Sequence, residues 1–426
     1  MPPIDDHPLR YQLANELHAR PFPIMSAPSS VVFLAIKRRE NAVARDRAAD
    51  IAHLTDLLDR HGVAHPQPGA IHYSGQIGRH VLKWEQHTEF VTYSVLIDGP
   101  RDRAFDPVDF SVFPKDWLDN APGERITSIN MHIMPMMEEG TIEASLANWF
   151  VPESLAASYV LEKAAMIAGD FRIDPSGHMR FALFVDPETG DRRIGRIVQR
   201  LCEIETYKSM SMLGFSRARH LSGQIGEMEK RLTELMVAMT EERSEPENTL
   251  HSLLSVSAEV ETLSATSSFR FGATGAYEAL VNQRIASLRE TRFRGRQTFQ
   301  EFMMRRYEPA MRTVKSTERR ISALSERAIR TGDLLRTRVD VERSAQNQAL
   351  LASMDRRADL QLRLQHTVEG LSVVAISYYA VSLVSYLLYP LANATGVSKP
   401  MLTAVLTIPV VLLVWWMVRR LRARLD

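Results

Sequence analysis

The spacing of hydrophobic residues changes twice along the chain. Up to residue 190, short apolar runs alternate with polar turns and helical stretches, which is typical of a domain that combines strands and helices. From residue 191 onward, apolar residues recur three or four positions apart, which predicts helices. Beyond residue 370, two long runs contain no charged residue, a pattern typical of helices that cross a membrane.

Residues 1–190 are therefore expected to form an α+β domain with a mixed sheet of five or more strands. Turn-forming residues such as those of Asp186–Gly190 separate the apolar runs. Helices are predicted over Asn41–Arg60 and Ser154–Lys163. The predicted strands are Val31–Lys37, His80–Trp84, Phe90–Ile97, Ile126–Met134, Ala164–Ile173 and His178–Val185.

A helical region is predicted over residues 191–308. Its first helix is expected to be interrupted near Gly214, because glycine is a poor helix former. A second helix is expected to begin at about Pro246, since proline is favoured in a first helical turn. Ser264–Gly275 is rich in small and polar residues and is expected to end that helix.

One long helix is predicted to lead into the apolar end of the chain. Pro309 is the last proline before Pro390, so nothing between them forces a break. Residues 309–370 form a predicted stalk, in which apolar residues lie mostly three, four or seven positions apart. That spacing is typical of an imperfect coiled coil.

Residues 371–418 are expected to form two transmembrane helices. The uncharged runs Leu371–Leu391 and Met401–Val418 contain 21 and 18 residues. At a rise of about 1.5 Å per residue, each run can just cross a hydrocarbon layer of about 30 Å. The alternative is a helical hairpin buried in a soluble core.

Arginines flank the two predicted spans and orient them. Residues 419–426 form a basic tail, and further arginines precede the first span, whereas residues 392–400 contain a single lysine. The excess of positive charge on cytoplasmic segments places both termini in the cytoplasm. The N-terminus shows no pattern of a secretory signal.

The first predicted span carries a stripe of hydroxyl side chains. Its members Ser372, Tyr379, Ser382 and Tyr386 recur at helical spacing. A hydroxyl facing lipid has no hydrogen-bond partner, so such a stripe indicates helix packing or a water-lined path. Packing against the second span or a neighbouring subunit is favoured, and a pore lining is the alternative.

The formal net charge of +1 conceals an uneven distribution. Residues 1–269 contain 27 basic and 38 acidic residues, residues 270–365 contain 20 and 11, and residues 366–426 contain 5 and 2. The arginines of the middle segment alternate with carboxylates and lack aromatic partners, so no nucleic-acid partner is expected.

The single cysteine, Cys202, excludes an intramolecular disulfide and is consistent with a cytoplasmic domain.

Four polar residues lie close together near the N-terminus, namely Asn15, Glu16, His18 and Arg20. They could bind an anion or supply an acid–base pair. Hydrogen bonds that cap a helix and fix the terminus are the favoured interpretation.

The common phosphate-binding, dinucleotide-binding, serine-nucleophile and zinc-protease motifs are absent, so no catalytic residue and no cofactor is expected. The sequence does not identify a metal site.

Five segments carry a family resemblance. They are HPLRYQLANELHARPF (7–22), WEQHTEF (84–90), QRLCEIETYKSM (199–210), RRYEPAMRTV (305–314) and QLRLQHTVEGLSVVAISYY (361–379). They resemble an uncharacterised family of bacterial membrane-anchored proteins defined by a domain of unknown function. The resemblance extends over nearly the whole chain and implies a location in the bacterial inner membrane, but it implies no activity.

The order of the predicted elements is also similar to that of CorA-type magnesium channels, which are homopentamers whose first span lines the pore. Their Gly-Met-Asn signature is missing, since residues 389–396 read Tyr-Pro-Leu-Ala-Asn-Ala-Thr-Gly. The resemblance therefore implies a homo-oligomer with a divalent cation as candidate ligand, and it transfers no ion selectivity.

Together these features predict a homo-oligomeric inner-membrane protein, in contact with lipid, that passes or senses cations. The alternative is a membrane-tethered scaffold that binds a protein and transports nothing. A membrane-tethered enzyme using Glu16, His18 and Arg20 is a third hypothesis, and a non-enzymatic function is favoured over it.

Overall fold

The chain folds into two compact units. The computed structural model describes residues 4–16, 22–39, 46–239, 246–394 and 398–422. The first unit comprises Met1–Glu242 and His251–Thr331, and the second comprises Arg243–Leu250 and Gly332–Asp426. The division into the five segments expected from the sequence stays a prediction.

One mixed sheet organises the first unit. Its strands are β1 (Ser29–Lys37), β2 (His72–Ile77), β3 (His80–Gln86), β4 (Phe90–Asp98), β5 (Glu124–Pro135), β6 (Ala156–Val160), β7 (Ala165–Ile173), β8 (Met179–Val185) and β9 (Thr291–Arg292). In the part of the chain that the structure describes, these nine strands lie in the order β2-β3-β4-β1-β5-β8-β7-β6-β9. Only the β5–β8 pair is parallel among them. The predicted α+β domain with a mixed sheet is confirmed.

Helices account for most of the remaining described residues. They are α1 (Arg10–Glu16), α2 (Arg47–Arg60), α3 (Lys115–Asp119), α4 (Glu139–Trp149), α5 (Asp191–Ala238), α6 (Pro246–Leu288), α7 (Phe299–Arg306), α8 (Glu308–Ala394) and α9 (Lys399–Arg422). Helix α8 confirms the long helix predicted between Pro309 and Pro390. The part of the predicted helix 41–60 that precedes Asp46 lies outside the described residues.

Helices cover both faces of the sheet. Side chains alternate along a strand, so the residues of β1 divide between two cores. Val31, Phe33 and Ala35 join the core that α5 and α6 complete, whereas the intervening residues Val32 and Leu34 join the core under α2 and α3. Helix α4 closes a third core over the β7–β8 part of the sheet.

The helix predicted over Ser154–Lys163 is wrong. Residues 156–160 form strand β6, which pairs with β7 in an antiparallel hairpin. Leu161, Glu162 and Lys163 form its turn, with φ angles of 48°, 57° and 67°. Residues other than glycine rarely adopt this left-handed conformation, so the sequence gives no sign of the turn.

The breaks predicted near Gly214 and over Ser264–Gly275 are also wrong, because α5 and α6 run through them without interruption. A Cβ atom at Gly214 would lie 2.1 Å from Oγ1 of Thr274 on α6. Ser267 and Thr274 are buried. The small residues here allow the two helices to approach each other closely and do not end them.

Candidate functional site

Two regions of the structure are candidates for function. The first is the apolar end of the chain, where α9 and the last part of α8 are long and apolar enough to cross a membrane. In the most apolar 18-residue window of each helix, 17% of the residues are buried in α8 and 6% in α9. These helices therefore present apolar side chains that the described part of the chain does not cover.

The predicted hydroxyl stripe lies largely on this uncovered surface. The side chains of Tyr379 and Tyr386 are 67% and 71% exposed, Ser372 is exposed, and Ser382 is half-buried. The Ser372 hydroxyl donates a hydrogen bond to the carbonyl oxygen of Val368 at 2.8 Å, within its own helix. Most of the stripe is therefore exposed, and α8 does not bury it against other described residues.

A different face of α8 is buried in the second unit. Ser377, Val381 and Ser385, spaced four residues apart, are buried, and so is Val414 of α9. Residues four apart lie on one face of a helix, so α8 buries one face within the second unit. Among the described residues, the hydroxyl groups of Ser377 and Ser385 have no hydrogen-bond partner.

The predicted polar cluster near the N-terminus lies mostly outside the described residues. Asn15 and Glu16 end helix α1, but their side chains are not described. His18 and Arg20 lie outside the described residues altogether. The cluster therefore stays a prediction.

The second region is a cavity of about 510 Å³ within the first unit. Its walls come from strands β1, β3 and β4 on one side and from helices α5 and α6 on the other. The apolar part of the lining consists of Phe22, Pro23, Val31, Phe33, Phe90, Leu96, Val198 and Cys202. The polar part consists of Lys83, Glu85, His87, Thr92, Ser94, Gln199, Arg200, Glu203, Thr206, Tyr207, Gln283, Arg284 and Ser287.

Successive side chains of β3 lie on opposite faces of the sheet, and two charged ones lie on the cavity face. Leu82 and Trp84 are fully buried in the core on the other face of the sheet. Lys83 and Glu85 therefore point to the cavity face, where the Lys83 ammonium lies 3.2 Å from the Glu85 carboxylate. Both side chains are largely buried, which makes this an ion pair shielded from water.

A chain of polar contacts continues from this pair across the cavity. The Lys83 ammonium donates to Oε1 of Gln199 at 2.9 Å, and the Gln199 amide donates to Oε1 of Glu203 at 2.8 Å. The guanidinium of Arg284 on α6 pairs with the other carboxylate oxygen of Glu203. Both carboxylates that line the cavity are thus paired with a cation.

Arg200 differs from the other cations of the lining. Its guanidinium donates to the carbonyl oxygen of Ser287 at 3.2 Å. Among the described residues, no carboxylate lies within ion-pair distance of it. Burial and the neighbouring Arg196 and Arg284 lower the pKa of Arg200, and the charge of Glu203 partly offsets this effect. An arginine remains protonated near neutral pH.

A separate ion pair ties the β3–β4 hairpin to α6 beside the cavity. Glu89 is buried, pairs with Arg270, and accepts a hydrogen bond from the Tyr277 hydroxyl at 3.1 Å. The ring of Tyr277 stacks on that of Tyr207, with centroids 5.7 Å apart. Burial and the Glu89 charge raise the pKa of Tyr277, so its hydroxyl stays protonated and the network is a structural clamp.

The cavity holds polar groups suited to binding and lacks an activated nucleophile among its described residues. Burial raises the pKa of the Cys202 thiol, so the reactive thiolate is not populated. In the part of the chain that the structure describes, no group of three or more His, Cys, Asp or Glu side chains is placed to hold a metal ion.

The sequence contains a partial indication of the cavity, although none of the common motifs marks it. Three of the five segments that carry the family resemblance border it, through Phe22, through Glu85 to Phe90, and through Gln199 to Tyr207. Lys83 and Glu85 alternate with buried residues, which by itself predicts a solvent-facing side of a strand. Helices α5 and α6 cover that side, and their position does not follow from the pattern of β3.

Comparison with known proteins gives one match. A family model described as "Protein of unknown function (DUF3422)" matches residues 5–425. Neither the curated proteins nor the solved structures contain a match to the chain.

Proposed function

This chain belongs to the DUF3422 family of proteins of unknown function, and we propose that it is a bacterial inner-membrane protein that self-associates through the hydroxyl stripe of α8. The observation that carries the proposal is the exposure of the two apolar helices. An apolar helical surface in water is costly, whereas a bilayer removes that cost and a second copy removes part of it.

The ends of the two apolar helices support insertion in a membrane. The guanidinium groups of Arg419 and Arg420 lie 5.1 Å and 5.0 Å from the ring centroids of Trp415 and Trp416. At the other end of α9, the Lys399 ammonium lies 5.5 Å from the Tyr386 ring. Aromatic rings and basic groups at both ends are typical of helices anchored at the two membrane interfaces.

The placement of the stripe supports contact between copies. The face of α8 that carries Ser377 and Ser385 is buried within the second unit, whereas the rings of Tyr379 and Tyr386 are largely exposed. Phenol and hydroxyl groups are stabilised by partner helices better than by lipid tails. With the first unit in the cytoplasm, such a bundle has the layout of CorA-type channels, and a cation would pass or be sensed along its axis.

A membrane-tethered scaffold is the second candidate, and one observation favours it. No charged side chain lies between Leu371 and Leu391, and the Ser372 hydroxyl already donates within its helix. A scaffold needs only an anchor and self-association. Uptake of Mg²⁺ into reconstituted vesicles separates the two candidates, because passage raises uptake above that of protein-free vesicles and a scaffold does not.

Extraction and protease protection test insertion and orientation. Membranes from a bacterial host that expresses the full chain are washed with alkaline carbonate, and the protein is expected to stay in the pellet. In inverted vesicles, protease is expected to digest the first unit, whereas intact spheroplasts protect it. Release into the carbonate supernatant would support the soluble helical hairpin instead, and digestion in spheroplasts would reverse the orientation.

A further inference from the structure

The cavity between the sheet and helices α5 and α6 has both apolar and charged side chains in its lining. Its volume of about 510 Å³ falls within the range of about 300–1,000 Å³ that is usual for small-molecule sites. The cavity is partly open to solvent. Phe33, Phe90 and Leu96 supply an apolar wall that is itself well buried in the fold.

The charged side chains that line the cavity determine whether it favours an anionic or a cationic ligand. Glu85 pairs with Lys83, and Glu203 pairs with Arg284 and accepts from Gln199. A cationic ligand would have to displace one of these internal cations. Arg200 contacts a backbone carbonyl and, among the described residues, no carboxylate at ion-pair distance. The charge available to a ligand is therefore positive.

We propose that the cavity binds a small organic anion, with its carboxylate or similar anionic group on the guanidinium of Arg200 and its apolar body against Phe33, Phe90 and Leu96. A guanidinium presents parallel N–H groups that match the two oxygens of a carboxylate. The site lies within the first unit, so this inference stands apart from the proposal about membrane association.

A matched pair of ligands tests the charge requirement. The purified full-length protein is titrated with 2-naphthoate and with its neutral analogue 2-naphthamide, and binding is followed by ligand-observed NMR. Saturable binding of naphthoate is expected, with naphthamide at least about tenfold weaker, which is the loss typical of a charged hydrogen bond. Equal binding of the two compounds, or no saturable binding of naphthoate, overturns the proposal.

A matched pair of variants tests the residue. Arg200→Gln is expected to weaken naphthoate binding about tenfold or more and to leave naphthamide binding unchanged. Arg196→Gln, on the same helix but exposed and outside the cavity lining, should bind naphthoate like the wild type. If Arg200→Gln fails to fold, Arg200→Lys keeps the charge but loses the paired N–H groups, and it is expected to bind several-fold more weakly. Wild-type affinity in the folded Arg200 variant contradicts the assignment.

Discussion

His178 shows how a single buried residue makes stability depend on pH. Its ring stacks on Phe110 with centroids 3.5 Å apart, and its Nδ1 lies 2.9 Å from the Ser128 hydroxyl oxygen. Burial, together with the nearby Arg125, lowers the pKa of His178 from 6.5 to about 4. The folded state therefore keeps this imidazole neutral at mildly acidic pH.

Acidification is expected to destabilise the first unit through this residue. Between pH 6.5 and 4 the unfolded chain binds a proton at His178 and the folded chain does not, so stability is lost as the pH falls through this window. The loss is at most about 3 kcal/mol. In thermal unfolding at pH 7.5 and 5.0, His178→Asn should show a smaller drop in midpoint between the two pH values than the wild type. An unchanged drop would show that other groups cause it.

At the scale of elements, α5 depends on a glycine that touches the N-terminal segment. A Cβ atom at Gly195 would lie 1.7 Å from the carbonyl oxygen of Pro23. Backbone cannot move aside as easily as a side chain, so this position requires glycine. At Gly223 of the same helix, a Cβ atom would meet nothing within 4 Å.

Substitution of the two glycines is expected to have opposite effects. Gly195→Ala should lower stability by about 1–3 kcal/mol through overpacking. Gly223→Ala should raise it by up to about 1 kcal/mol, because alanine is the better helix former. Unfolding midpoints of the two variants measure the difference, and a Gly195→Ala protein as stable as Gly223→Ala would contradict the close contact with Pro23.

Elements with a clear hydrophobic period could be predicted from the sequence. The alternating or continuous apolar runs of β1, β4, β5 and β8 predict strands, and the lack of proline predicts α8. Strand β6 could not be predicted. Its turn adopts a left-handed conformation without a glycine, so the segment lacks the usual turn residues and its composition resembles that of a helix. The position of the cavity could not be predicted either, since Lys83 reaches Gln199 of α5 through a contact distant in sequence.

At the scale of the whole molecule, the uneven charge is partly neutralised within the first unit. Basic residues after position 269 pair with acidic residues before it. The guanidinium of Arg320 lies 2.8 Å from Glu229, and that of Arg294 lies 3.0 Å from Glu139. Part of the basic charge of the middle segment is therefore neutralised within the first unit.

Disulfide cross-linking in native membranes tests most directly whether copies of the chain meet at the hydroxyl stripe. The only cysteine, Cys202, is buried and is replaced in a Cys202→Ala background. Tyr379→Cys lies on the exposed stripe, and Ser377→Cys, two residues away, lies on the buried face and serves as the control. If copies of the chain meet at the stripe, oxidation yields covalent dimers with Tyr379→Cys and not with Ser377→Cys. Tyr379→Cys that stays monomeric, or equal cross-linking of both variants, would contradict self-association through the stripe.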